Sequence, residues 1–381
     1  MKESNYNNPQ EKSTQKKWAE FFSSKPGIIG TGVIIGVFAA LLPVWGNPAN
    51  MGICVACFVR DISGGLGLHR AAVVQYLRPE IPGFVLGSMV AALLFGEFKA
   101  RSGSAAAVRF VLGAFALIGA LAFLGCPWRA LLRLAGGDFN ALTGIAGLAA
   151  GILAGIQFLK GGYSLGRAHR QKSAAGLVMP GLMLLLLILL VTPAGEIIGV
   201  FRSEAGPGSM AAPVAISLGI ALVVGFLAQR TRFCTMGAVR DVILLRDGHL
   251  MSGVAALLVT ALAVNIVLGR FNPGFTLQPV SHSNYVWNFL GMFLSGLAFC
   301  LAGGCPGRQL FLSGEGDGDA SVFVFGMIAG AAFAHNFGFA GRPDSMVDGV
   351  LQVGGISPQG MVAVVLGIAV CLYFGFTMRE T

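Results

Sequence analysis

Charged residues are scarce in this sequence. Asp, Glu, Lys and Arg make up 11% of its 381 residues, while hydrophobic residues make up 55%. A soluble globular domain carries about 25% charged residues. So few charges cannot cover the surface of a soluble fold of this size, which leaves lipid as the solvent for most of the chain. No polar stretch is long enough for a separate soluble domain, so we predict one membrane domain embedded in a lipid bilayer.

Several sequence signatures are also missing. No G-x-x-x-x-G-K-[ST] motif is present, which argues against an ATP-driven motor. The seven cysteines lie mostly in apolar surroundings and do not form the framework of a disulfide-rich secreted protein. The net charge of +9 is better explained by loop charges that orient a membrane protein than by nucleic-acid binding, so we predict no nucleic-acid partner.

Long hydrophobic runs are abundant. A membrane-spanning helix needs about 20 predominantly apolar residues, and about ten segments meet this requirement. These segments are 27–47, 82–97, 107–125, 140–160, 176–200, 211–229, 251–269, 286–304, 321–340 and 360–377. The fold class is therefore predicted to be an all-α polytopic membrane protein with about ten transmembrane helices.

Two motifs occur twice at nearly the same separation. The first, Cys-x5-Arg-Asp, lies at Cys54, Arg60 and Asp61 and again, 180 residues later, at Cys234, Arg240 and Asp241. The second, Gly-Cys-Pro-x-Arg, runs over Gly125–Arg129 and, 179 residues later, over Gly304–Arg308. An Asp follows each of these arginines by nine residues, at Asp138 and Asp317. Two matches at one shift indicate a tandem duplication.

The duplication predicts an inverted arrangement. Each half holds about five spans, and an odd number turns the second half upside down relative to the first. The predicted division is a polar cytoplasmic N-terminal tail (1–25), a first membrane repeat (26–200) and a second membrane repeat (201–381). Lys and Arg are concentrated in loops that lie on the same side as the basic tail, which predicts that both termini are cytoplasmic.

Short re-entrant helices explain the remaining charges. The 48–81 connection would be external, yet it contains Arg60, Arg70 and Arg78, so part of it should dip back into the membrane. Cys54 and Cys126 would then approach the bilayer midplane from outside. Cys234 and Cys305 would approach it from inside, which predicts an hourglass-like path.

The Gly-Cys-Pro-x-Arg motif suits an anion site. Pro127 and Pro306 are expected to start short helices, because proline is favoured at the first position of a helix. Helix N-termini attract anions, and thiols suit a soft one. The predicted substrate path consists of Cys54, Cys126, Cys234 and Cys305. The predicted anion-attracting residues are Arg60, Arg129, Arg240 and Arg308.

Other polar residues have weaker assignments. Asp61, Asp241, Asp138 and Asp317 are candidates for pairing with arginines or for proton coupling. His69 and His249 are interpreted as helix-end residues that face solvent. Cys57 completes a C-x-x-C with Cys54, but the second repeat has Gly237 at its position, so an incidental thiol is the default interpretation. No metal site is predicted.

Three functions remain open from the residues alone. The first is a transporter for a small anion. The second is a transmembrane thiol–disulfide relay, which Cys54-x-x-Cys57 motivates. The third is a membrane subunit whose small and polar residues serve packing only.

At the duplicated motifs the chain resembles the YeeE/YedE family of sulfur-compound membrane transporters, over nearly its whole length after the tail. The stretch 47–61 is similar to the YedE branch associated with selenium metabolism. This resemblance implies uptake of a thiosulfate- or selenite-like anion across the inner membrane, with no cofactor and no catalytic residue. It implies that Cys54, Cys126 and Cys305 hand the anion along, with Cys234 as the second-copy partner of Cys54.

The resemblance also implies nine spanning helices plus short re-entrant ones, one fewer span than our count. A small cytosolic sulfur-carrier protein of the TusA/SirA type is an expected partner by resemblance only.

Overall fold

A computed structural model describes residues 17–379, and these are mostly helical. The helices are α1 (Lys17–Ser23), α2 (Lys25–Leu41), α3 (Val55–Gly65), α4 (Glu80–Leu94), α5 (Ala106–Phe123), α6 (Pro127–Ala135), α7 (Asn140–Lys160), α8 (Ser173–Gly176), α9 (Val178–Val191), α10 (Ala194–Ile198), α11 (Val214–Arg230), α12 (Thr235–Leu245), α13 (His249–Val267), α14 (Tyr285–Ala302), α15 (Pro306–Gly314), α16 (Gly318–Asn336) and α17 (Pro358–Thr377).

The strands are minor. Two antiparallel two-stranded ribbons pair β1 (Arg101–Ser102) with β2 (His169–Arg170) and β3 (Ser345–Val347) with β4 (Val350–Gln352). The all-α polytopic class is thereby confirmed. Residues 1–16 of the predicted N-terminal tail lie outside the described residues, and the rest of that tail contains helix α1.

The ten predicted segments differ in helix length. A helix occupies each of the ten predicted segments, and in the described part of the chain seven helical segments are long and apolar enough to cross a membrane. Three of these seven join a long helix to the short helix after it, α5 with α6, α11 with α12 and α14 with α15. The count becomes eight if α1 and α2, which meet at a 70° bend, form one span. Helices α4 and α9 are apolar but shorter. Helix α9 stops at Val191 because Pro193 forces Thr192 into an extended conformation, so the predicted 176–200 span is broken.

Helix packing follows the internal repeat. Helix α2 packs on α13, and its counterpart α11 packs on α4, the counterpart of α13. Helix α5 packs on α16, and its counterpart α14 packs on α7, the counterpart of α16. Helix α5 also packs on α14 itself. The two halves are thus interlocked, with most large contacts crossing from one half to the other.

Glycine allows this close packing. A Cβ at Gly147 of α7 would overlap the carbonyl oxygen of Phe289 on α14. Its repeat-related residue, Gly326 of α16, would in the same way overlap the carbonyl oxygen of Phe110 on α5. Small residues let helix backbones approach each other in a membrane. The same contact therefore occurs twice, at positions 179 residues apart.

Candidate functional site

Each of the four repeated cysteines lies immediately before a short helix. Cys54 caps α3 and Cys234 caps α12, and each sulfur accepts a hydrogen bond from the backbone N–H three residues later, at 3.3 Å. Cys126 and Cys305 precede α6 and α15, which begin with Pro127 and Pro306. All four thiols therefore lie at the positive ends of helix dipoles.

Backbone turns place two of these cysteines. Helix α5 ends at Leu124 in the left-handed conformation, with φ +64°, and α14 ends at Gly303, with φ +84°. These two residues are related by the repeat. Helices commonly end at a left-handed residue, which is usually glycine. The short helix then continues the longer one, so Ala106–Ala135 and Tyr285–Gly314 each form one apolar helical segment of 30 residues.

The four cysteines form two pairs. The Sγ atoms of Cys54 and Cys126 are 3.8 Å apart. In the second pair, the backbone N–H of Cys305 donates to the sulfur of Cys234 at 3.5 Å. All four are buried, and Cys234 is the most exposed at 5%. Residues that are 72 and 71 positions apart in sequence are thus brought together in each half.

Arg129 carries the clearest uncompensated charge near the thiols. Its guanidinium is fully buried and donates to the carbonyl oxygens of Leu124, Asn50, Pro279 and Val280. It also lies 3.7 Å from the sulfur of Cys57. No salt bridge joins it to a carboxylate of residues 17–379. A buried cation held by carbonyl groups and a thiol, without a carboxylate, leaves a positive field beside the Cys54–Cys126 pair.

Its repeat counterpart differs. Arg308 forms a salt bridge with Glu315 at 3.1 Å, so the second half partly neutralises the equivalent charge. Cys57, interpreted from the sequence as an incidental thiol, contacts Arg129 beside the first thiol pair. The C-x-x-C spacing was the signal that pointed to it.

Arg60 and Arg240 pair with the aspartates beside them. Arg60 binds Asp61 at 2.7 Å, and Arg240 binds Asp241 at 2.8 Å. The other oxygen of Asp61 accepts from Arg78 at 2.7 Å. Arg78 was predicted as one of the charges of the 48–81 connection but not as a site residue. It also donates to backbone carbonyl groups of Pro207 and Met210, which ties the two halves together.

The remaining aspartates hold loops in place. Asp138 binds Arg133 at 2.6 Å and accepts from the backbone N–H of Asn140. Asp317 binds Arg101 at 2.7 Å and caps α16. Their contacts are those of structural ion pairs.

His69 does not face solvent, contrary to its interpretation from the sequence. It is 1% exposed, stacks on His335 with ring centroids 4.6 Å apart, and bonds the carbonyl oxygen of Arg60. Folding of residues 66–79 back over α3 buries it. His249 lies at the start of α13.

Two cavities are lined by arginines that were predicted to attract the anion. One, which we call the Arg308 cavity, has a volume of about 430 Å³ and is lined by Arg230, Arg232, Cys234, Arg240 and Arg308, among others. The other, the Arg60 cavity, has a volume of about 540 Å³ and is lined by Arg60, Pro279, Val280, His335 and Arg342, among others. Arginines therefore line both cavities, and only the Arg308 cavity reaches a repeated cysteine.

The residues that the structure describes contain no group of three or more His, Cys, Asp or Glu that could hold a metal ion. The site is built instead from thiols, guanidinium groups and helix N-termini.

Interlocked apolar helices around buried thiols and arginines define a polytopic membrane protein with a candidate anion site. A family model described as sulphur transport matches residues 1–128 and 230–381. The chain belongs to this family, which confirms the resemblance to YeeE/YedE proteins. All four repeated cysteines lie within the matched residues.

The chain is also similar to a curated relative from Spirochaeta thermophila that is named thiosulfate transporter TsuA. The two are 34% identical over 99 residues, which is 25% of this chain and 29% of the relative. Both the family and this relative are described by transport and not by an enzymatic reaction. The thiol–disulfide relay, which would be an oxidoreductase, is therefore not retained.

Proposed function

We propose that this protein transports a small sulfur-containing anion of the thiosulfate type through a path lined by its four repeated cysteines. The observation that carries the proposal is the pairing of the thiols at helix N-termini, Cys54 with Cys126 and Cys234 with Cys305. The similarity to the relative named thiosulfate transporter TsuA supports thiosulfate as the substrate.

The electrostatics favour an anion. Arg129 has no carboxylate partner among the described residues, so its field extends over Cys54, Cys126 and Cys57. The dipoles of α3 and α6 point their positive ends at the same place. An anion that reaches this pair would replace the carbonyl groups of Pro279 and Val280 as the acceptor for Arg129.

Thiols suit passage as well as binding. The S–H group is a weak hydrogen-bond donor, so no single cysteine holds the anion tightly. Conduction requires sites that are strong enough to admit an ion and weak enough to release it. Two successive thiol pairs of similar construction meet this requirement, and the Arg308 cavity next to Cys234 would receive the released anion.

The direction we propose is inward. The Arg308 cavity is also lined by Ser23, next to the basic N-terminal tail. The positive-inside rule would place this end in the cytosol. Cys54 and Cys126 would then receive the anion from outside the inner membrane, and both termini would be cytoplasmic. The two halves would be inverted repeats that together form an hourglass-like membrane domain.

A selenium oxyanion such as selenite remains part of the proposal as a competing substrate, because the 47–61 stretch is similar to the selenium-associated branch. A sulfur-carrier protein of the TusA type is proposed as the cytosolic acceptor on the same ground.

Uptake of radiolabelled thiosulfate and selenite, in cells that lack their own importers, tests the function. Wild type is compared with Cys126→Ser and Cys305→Ser, each checked for its amount in the membrane. We expect both substitutions to reduce uptake of one anion at least tenfold, because each removes a thiol from a different pair. Cys371→Ser is the matched control, since Cys371 is buried in α17 and belongs to neither pair. Full uptake by well-expressed Cys126→Ser would contradict the cysteine path.

A further inference from the structure

An aromatic cluster lies where the two halves of the site meet. Trp128 packs against Phe84, Phe233 and Phe311, with ring centroids 5.7 to 6.1 Å apart. Phe233 directly precedes Cys234, and Trp128 follows Cys126 by two residues. The Trp128 ring also covers Gly307, where an added Cβ would lie 3.2 Å from it. Trp128 therefore extends from the first thiol pair to residues that flank both cysteines of the second.

Trp128 has an unused hydrogen-bond donor. Its side chain is 1% exposed, and its indole N–H has no acceptor among residues 17–379. A buried polar group without a partner destabilises the fold, because it loses its hydrogen bonds to water and gains none. Buried Trp N–H groups usually find a partner, so an unsatisfied one between two anion sites points to a ligand.

A second donor lies at the second thiol pair. Thr235, which directly follows Cys234, has a buried hydroxyl oxygen without a hydrogen-bond partner in the described structure. The repeat gives Val55 at the position of Thr235 and Gly307 at the position of Trp128. Neither Val55 nor Gly307 has a polar side chain. Each half therefore supplies one donor that the other half lacks.

We propose that the indole N–H of Trp128, assisted by the Thr235 hydroxyl, binds the anion midway between the two cysteine pairs. An anion that leaves Cys54 and Cys126 must cross a zone of aromatic rings, where loss of its water is costly. One N–H donor and one O–H donor there hold its oxygen atoms, while the surrounding rings exclude water. This inference rests on the proposed transport function and adds two substrate-binding residues to it.

The first test measures anion uptake by Trp128→Phe and Thr235→Val. The first keeps an aromatic ring without the N–H, and the second installs the residue of the other repeat. We expect Trp128→Phe to lower the uptake rate about tenfold or more, as befits the loss of a hydrogen bond to a charged group. We expect a smaller decrease for Thr235→Val. Trp287→Phe, in half-buried surroundings on α14, is the matched control and should retain full uptake.

The second test does not depend on transport. Trp18, Trp45 and Trp287 are replaced by Phe, which leaves Trp128 as the single tryptophan. We expect thiosulfate added to the purified protein to change its fluorescence in a saturable manner, and chloride at equal ionic strength to leave it unchanged. A merely structural tryptophan would respond to neither.

The outcomes separate the two proposals. Uptake by wild type together with undiminished uptake by Trp128→Phe would overturn this inference and leave the transport function standing. Fluorescence that stays unchanged when thiosulfate is added would also overturn it. Failure of wild type to take up either anion would overturn both.

Discussion

At the residue scale, the two copies of each motif differ in the ion pairs that their arginines form and in how exposed these pairs are. Arg60, Asp61 and Arg78 form a fully buried network in the first half. The equivalent Arg240–Asp241 pair is partly exposed, with the arginine side chain 33% accessible. Exposed pairs contribute little to stability because water screens them, whereas breaking a buried network is costly. Duplicated residues thus have different energetic roles on the two sides.

Arg129 provides a residue-scale prediction. In Arg129→Lys the charge is kept, but one ammonium group cannot reach all four carbonyl groups that the guanidinium now binds. We expect uptake of the transported anion to fall about tenfold, since one lost charged hydrogen bond has about that effect. We also expect the melting temperature of the purified protein to decrease. Arg167→Lys, in an exposed loop, is the control and should change neither quantity. Wild-type values for Arg129→Lys would contradict the role assigned to this charge.

At the scale of elements, helix starts and glycine contacts position the site. Four short helices begin next to cysteines, and longer helices from opposite halves pack closely around them. Gly147 and Gly326 allow two of these approaches, since a Cβ at either residue would overlap a backbone carbonyl group. Backbone atoms cannot move aside as a flexible side chain can. The proposed path therefore depends on helix contacts that lie away from its cysteines.

Gly326→Ala tests this dependence. The added methyl group should push α16 away from α5 and reduce the amount of folded protein, because overpacking typically costs about 1–3 kcal/mol. The measurement is the fraction of monodisperse protein after detergent extraction, together with its melting temperature. Gly219→Ala is the control, because Gly219 lies in α11 with open space around it. Equal behaviour of the two variants would show that the close approach does not matter.

At the scale of the whole molecule, the structure predicts that Cys234 can be reached from one side of the membrane only. Cys234 lines the Arg308 cavity, whereas Cys54, Cys126 and Cys305 are at most 1% exposed. In a variant that retains only Cys234, we expect a membrane-impermeant maleimide to react in inside-out vesicles and not in intact spheroplasts. A variant that retains only Cys371 should react in neither preparation, since that thiol is fully buried. Labelling of Cys234 from outside would reverse the proposed orientation.

The sequence by itself determined the membrane class, the duplication and the family. These depend on composition and on short motifs, which need no knowledge of contacts. It also indicated the four cysteines and their helices, because proline and helix-capping preferences act locally.

Only the tertiary structure decided which residues meet. It paired Cys54 with Cys126, joined Arg78 to Asp61, buried His69 and brought the carbonyl groups of Pro279 and Val280 onto Arg129. It also showed which predicted segments form helices shorter than a full span, because helix ends depend on caps and turns as well as on hydropathy. Partners so far apart in sequence meet only through helix packing, and a one-dimensional pattern of residues does not specify that packing.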